Sequence, residues 1–130
     1  MRGINFAKFT MSDYRNLIAY KKAYELAMDI FEVTKTFPKE ERFELTSQIR
    51  RSSRSVCANL AESMKRSRYI AHYSSKLNDS ETENAETQVH IDFSLSCKYI
   101  TTQKHQEWTT KNNDVGNLLV YMINNPEKFI

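Results

Sequence analysis

The sequence predicts an all-α protein made of a few long helices, and three observations lead there. Among 130 residues there are only two glycines and two prolines, where average usage would supply roughly nine and six or seven. Inside the chain only Pro38 punctuates, because Gly3 and Pro126 lie near the ends and Gly116 falls within a periodic segment. Apolar residues also recur at three- and four-residue intervals through most of the length. Sheets need frequent turns and long helices do not. The length is that of one domain, with residues 1–12 as a loose lead-in and residues 13–130 as the folded unit.

The first segment covers residues 13–37, with Ser12 or Asp13 as N-cap and Pro38 closing it. Leu17, Tyr20, Tyr24, Ala27 and Phe31 form one apolar stripe; Ala23, Leu26, Ile30, Val33 and Phe37 form the adjoining one. Together they wrap roughly 200° of the helix, more than a single core contact needs, so a second buried contact with another subunit is expected. The second segment starts at Pro38, with Lys39, Glu40 and Glu41 in its first turn. Leu45, Ile49, Val56, Leu60 and Met64 make its core stripe. Arg50, Arg51, Arg54, Lys65 and Arg68 fall within roughly 100° of one another on the opposite side, a basic face. Only Ser63 and Ser67 hint at where this helix stops.

The third segment runs over residues 67–99. Ile70, Tyr73 and Leu77 lead into a polar centre, followed by a stripe of Val89, Phe93 and Cys97 beside Ile91 and Leu95. Thr101 and Thr102 are turn or cap candidates. Trp108, Val115, Leu119 and Met122 then give the fourth stripe, which ends before Asn125 and Pro126. Four helices with short connections predict an antiparallel up-down-up-down four-helix bundle.

A balance of 40% hydrophobic and 27% charged residues with a net charge of +3 is that of a soluble domain, not a disordered or membrane-spanning chain. No apolar run approaches the roughly 20 residues that span a bilayer, and the N-terminal residues lack a signal-peptide core, so a cytoplasmic location is expected. Cys57 and Cys97 are too few for a disulfide scaffold and read as buried, reduced thiols. The small net charge favours a localised basic patch over a uniform coat.

The strings YRNLIAYKKAYELA, TKTFPKEERFELTSQIRRSSRSVCANLAES and ENAETQVHIDFSLSCKYI, in this order and spacing, resemble the bacterial four-helix-bundle family of 23S rRNA intervening-sequence proteins. The accessory variability proteins of diversity-generating retroelements are related to that family. The resemblance covers residues 14–129. It implies a homopentameric ring whose basic surface engages RNA or a ribonucleoprotein partner such as a reverse transcriptase. Arg50, Arg51, Asn59, Glu62, Glu86, Thr87 and Gln88 match the family pattern. Cys57 stands in place of a proline, Ser63 and Lys98 in place of glycines, and His90 in place of an aromatic.

Arginine binds phosphate bidentately and stacks on unpaired bases, so Arg50, Arg51, Arg54, Lys65 and Arg68 are the candidate nucleic-acid contacts. Weak patches repeated around a ring gain from multivalency. The alternative is a purely structural scaffold that meets an acidic protein. Asn59, Glu62 and Glu86 are read as a structural polar cluster. A minor alternative is metal-independent RNA cleavage by Arg66 and His72, whose spacing suits a guanidinium and an imidazole acting on one phosphodiester. No Glu-x-x-His, Gly-rich loop or catalytic-triad pattern occurs, so no cofactor, metal, small-molecule substrate or enzymatic activity is expected.

Overall fold

The scarcity of helix breakers is realised as four long helices in the computed structural model, which describes residues 11–65 and 69–130. Helix α1 spans Ile18–Thr34, α2 Leu45–Lys65, α3 Ile70–Ser96 and α4 Thr102–Asn124. No strand occurs among the described residues. Helix α1 packs on α2 and α4, and α3 packs on the same two, so α1 and α3 occupy opposite corners. Partners such as Arg50 with Thr34, Thr87 with Ser52, and Asn84 with Asn112 pair the helices antiparallel in chain order. This is the up-down-up-down arrangement.

The first helix starts later than expected. A short 3-10 turn occupies Met11–Asn16, and extended Leu17 separates it from α1, so the residue before the helix is Leu17 and not Ser12 or Asp13. Of the predicted lead-in, residues 1–10 lie outside the described residues, and Met11 and Ser12 begin the 3-10 turn. A second 3-10 turn, Lys39–Glu41, follows Pro38 and delays α2 to Leu45. Glu41 bridges this junction: one carboxylate oxygen accepts the Leu45 N–H at 3.2 Å, and the other accepts the Tyr99 hydroxyl at 2.8 Å. Holding that proton on Tyr99 raises its pKa to about 12. Helix α2 then runs unbroken through Cys57, a position where proline would delete a backbone donor. At the end of α3 the αL position is held by Lys98 (φ 64°), with the Tyr99 N–H bonded back to the Ser94 carbonyl at 2.9 Å. Glycine would occupy it without the Cβ penalty. Thr101 caps α4 by accepting the Lys104 N–H at 3.0 Å.

Helix α3 departs most from its predicted stripe. Its buried residues are Tyr73, Leu77, Ser80, Asn84, Thr87, Ile91 and Ser94, spaced alternately four and three as in a supercoiled seam. Val89 and Phe93 are instead half exposed, at 50% and 56%. Cys97 and Ile70 are exposed as well, whereas Cys57 is buried. Burial pushes the Cys57 thiol up to about 11, which keeps it protonated and inert.

The core consists of two apolar halves. One holds Val56, Leu60, Tyr73, Leu77, Val115, Leu119 and Met122, and the other Leu26, Ile30, Leu45, Ile49, Ile91 and Trp108. Between them lies a polar waist. The Asn84 amide donates to the backbone carbonyl and the side-chain oxygen of Asn112 at 3.1 and 2.9 Å, and Asn112 donates back to the Asn84 carbonyl at 3.0 Å. The Thr87 and Ser52 hydroxyls are 2.8 Å apart, and Ser80 donates to the Val56 carbonyl at 2.8 Å. Gly116 makes room for this layer, since a Cβ there would lie 2.8 Å from Asn84 Oδ1.

Removing one partner of a buried, reciprocally bonded pair leaves the other unsatisfied. Asn112→Ala should therefore cost about 1–3 kcal/mol of unfolding free energy, read by urea denaturation with an unchanged slope. A loss within about 0.5 kcal/mol, the range of ordinary surface substitutions, would mean that the pair does not hold the waist.

Candidate nucleic-acid interface

The bonds of α1 decide how the basic face of α2 is used. The last carbonyls of a helix lack intrahelical partners and carry the negative end of its dipole, and α1 has no basic residue in its own last turn. Arg50 supplies the charge from α2. Its Nε donates to Thr34 Oγ1 at 2.8 Å, an Nη donates to the Phe31 carbonyl at 3.3 Å, and the guanidinium lies 4.8 Å from the centre of the Phe31 ring. Arg51, one residue on and about 100° around the helix, reaches the other way to α3. It pairs with Glu83 at 3.3 Å and with Glu86, and these bonds raise its pKa. Consecutive arginines thus clamp α2 to both of its neighbours.

Arg54 is different. It is exposed, with its guanidinium 5.6 Å from the Phe31 ring, and among the described residues no hydrogen bond or ion pair holds it. Lys65 is exposed and equally unpaired, but it stands eleven residues further along α2, about 16 Å away at helical rise. Arg66 and Arg68 lie outside the described residues. His72 is exposed beside the Tyr69 ring at 5.6 Å.

Arg50, Arg51 and Arg54 line one concavity of about 530 Å³, together with Arg42, Phe43, Thr46, Ser47, Ser55 and Ala58. That lining contains four arginines and no carboxylate. Sequence reasoning missed Arg42 and Phe43. Phe43 precedes the first turn of α2, off the Leu45–Ile49 stripe and between two charged residues, and 82% of its surface is exposed. An apolar residue out of phase with the stripe of the helix that follows it was the available signal.

The predicted polar cluster of Asn59, Glu62 and Glu86 does not assemble. Asn59 donates to the Ser55 carbonyl of its own helix, Glu62 pairs with Lys76 at 3.2 Å, and Glu86 serves Arg51 with His90 at 3.5 Å. Asn59 and Glu62 stand on α2 and Glu86 on α3, and each has a separate partner. The buried polar residues are serines, threonines and asparagines, whose desolvation costs less than that of carboxylates. No group of three or more His, Cys, Asp or Glu positioned to hold a metal occurs among the described residues, and none of their helices is long and apolar enough to cross a membrane.

The family model of 23S rRNA-intervening sequence proteins matches residues 15–121. Among solved structures, this chain is similar to a protein of unknown function from the S23 ribosomal protein family of Bacteroides thetaiotaomicron. The two are 26% identical, the match covers 82% of this chain and 96% of that one, and the TM-score is 0.75. Comparison with curated proteins finds no match.

The different bonding of the arginines has a measurable consequence. Arg50→Ala should destabilise the fold by about 1–3 kcal/mol, because it strips the α1 terminus of charged hydrogen bonds. Arg54→Ala should stay within about 0.5 kcal/mol of the parent. Thermal and urea unfolding of the two variants side by side will check this ordering, and equal losses would contradict it.

Proposed function

Since the chain belongs to the family of 23S rRNA-intervening sequence proteins, we propose that it is a non-enzymatic helical scaffold that self-associates and presents the basic concavity of α2 to structured RNA or a ribonucleoprotein. One feature carries the reading: four arginines line one surface with no carboxylate among its lining, and the guanidinium groups of two of them, Arg42 and Arg54, have no hydrogen bond or ion pair among the described residues. Arg50 and Arg51 shape the concavity and add potential while their hydrogen bonds stay with the fold. The contact set therefore centres on Arg54 and Arg42, with Lys65 as a further exposed cation along α2.

Self-association has support of its own. Helices α1 and α3, at opposite corners, both turn apolar side chains outward: Ile18, Tyr24 and Met28 on one, Val89 and Phe93 on the other. Two unlike apolar patches on opposite sides of a protomer suit head-to-tail contacts, which close into a ring when the rotation per subunit divides a full turn. A pentamer is the ring that the family resemblance implies. A ring of five would repeat the concavity and turn modest affinity into avidity.

Light scattering should return five times the 15.3 kDa chain mass. Met28→Glu combined with Phe93→Glu should disperse the assembly to single chains. A parent protein that stays monomeric at micromolar concentration would remove the ring. In filter binding, RNA affinity should fall steeply with added salt, and Arg42→Ala with Arg54→Ala should flatten the log–log slope by about two per occupied protomer. An unchanged slope would exclude these arginines.

A further inference from the structure

Building on the RNA reading, we propose that the α2 concavity takes unpaired nucleotides of single-stranded RNA, with Phe43 as the platform on which a base stacks. Phe43 is 82% exposed at the rim of the concavity. Its only ring contact among the described residues is the Arg42 guanidinium, 5.5 Å from the ring centre. Single exposed apolar residues are common on protein surfaces. The surroundings set this one apart. A protein partner would call for a contiguous apolar patch, yet beside Phe43 the lining is arginine, serine and threonine, with Ala58 alone apolar at the far end.

The ligand that matches a flat apolar ring set among cations is flat, π-faced and anionic. Arg42 and Arg54 carry the free charge. Ser47 and Ser55 have hydroxyls that no hydrogen bond engages among the described residues, and these can donate to phosphate oxygens or to a 2'-hydroxyl. A duplex offers the phosphates but keeps its bases stacked inside, out of reach of Phe43. A single strand offers both. Stacking of this kind tolerates any base, because every base has a π-face. The concavity accordingly selects for strandedness and not for sequence. Glu41 is held away by its bonds to the Leu45 N–H and the Tyr99 hydroxyl, and Glu44, next to Phe43 in the chain, is exposed but does not line the concavity.

The test uses the full chain, a short fluorescein-labelled oligouridylate, and the same strand annealed to oligoadenylate, read by anisotropy. The parent should prefer the single strand. Phe43→Ala should weaken the single strand five-fold or more, roughly the lower bound for losing one base–aromatic stack, and leave the duplex and the sedimentation coefficient unchanged. Phe43→Trp should keep the affinity, and its emission should be quenched by the oligouridylate while buried Trp108 contributes a constant background. Equal binding of the two RNA forms, or single-strand affinity unchanged in Phe43→Ala, overturns the proposal. So does dispersal of the assembly by Phe43→Ala, which would assign the ring to a subunit contact. Where Phe43→Ala binds normally but Arg42→Ala with Arg54→Ala binds weakly, the stacking role falls and the RNA reading stands. Where neither RNA form binds at all, the RNA reading falls and the stacking role falls with it.

Discussion

The hydrogen-bonded layer at mid-bundle is the constraint on which the other features depend. Asn84 and Asn112 satisfy one another only in a single register of α3 against α4, and Gly116 leaves the gap that their approach requires. Ser80 and Thr87 do the same between α3 and α2. Apolar side chains slide past one another at modest cost, whereas a buried amide displaced by one turn loses its partners and the full desolvation penalty returns. With α3 fixed against α2 and α4 in this way, Glu83 and Glu86 come opposite Arg51. Arg50 is engaged separately, by the end of α1.

The waist also explains why the core face of α3 mixes polar residues with apolar ones. Its inward face is rich in serine, threonine and asparagine, and its outward face carries Val89 and Phe93. An apolar outer stripe is unneeded in a lone bundle. It becomes intelligible under the proposed self-association, for which Ile18, Tyr24 and Met28 on α1 are exposed as well.

How much was legible in the sequence differs from helix to helix. In α2 and α4 the core stripes Leu45–Ile49–Val56–Leu60–Met64 and Trp108–Val115–Leu119–Met122 are apolar and in phase, and all of these residues are found buried except Met64, which is partly buried. On α3 hydropathy found Tyr73, Leu77 and Ile91, which are buried, but it also placed Val89, Phe93 and Cys97 in the stripe and passed over Ser80, Asn84, Thr87 and Ser94, whose burial depends on hydrogen bonds that periodicity cannot register. The arginine face was visible as a cluster, but Arg50 and Arg51 are committed by groups 16 to 35 residues away in the chain. Such partners exist only once the register is set. The scattering of Asn59, Glu62 and Glu86 has the same origin. Phe43 was readable in principle as an apolar residue out of phase with the helix that follows it, at the edge of the arginine cluster.

The placement of RNA on the α2 concavity is open to one direct observation. Ultraviolet irradiation of the full chain with a single-stranded RNA, followed by trypsin digestion and mass spectrometry, identifies the peptide that carries the nucleotide adduct. Cleavage after Arg42 and Arg50 releases the peptide FELTSQIR, with Phe43 at its head. The account predicts the adduct on that peptide. Adducts confined to peptides from α3 or α4 would contradict it.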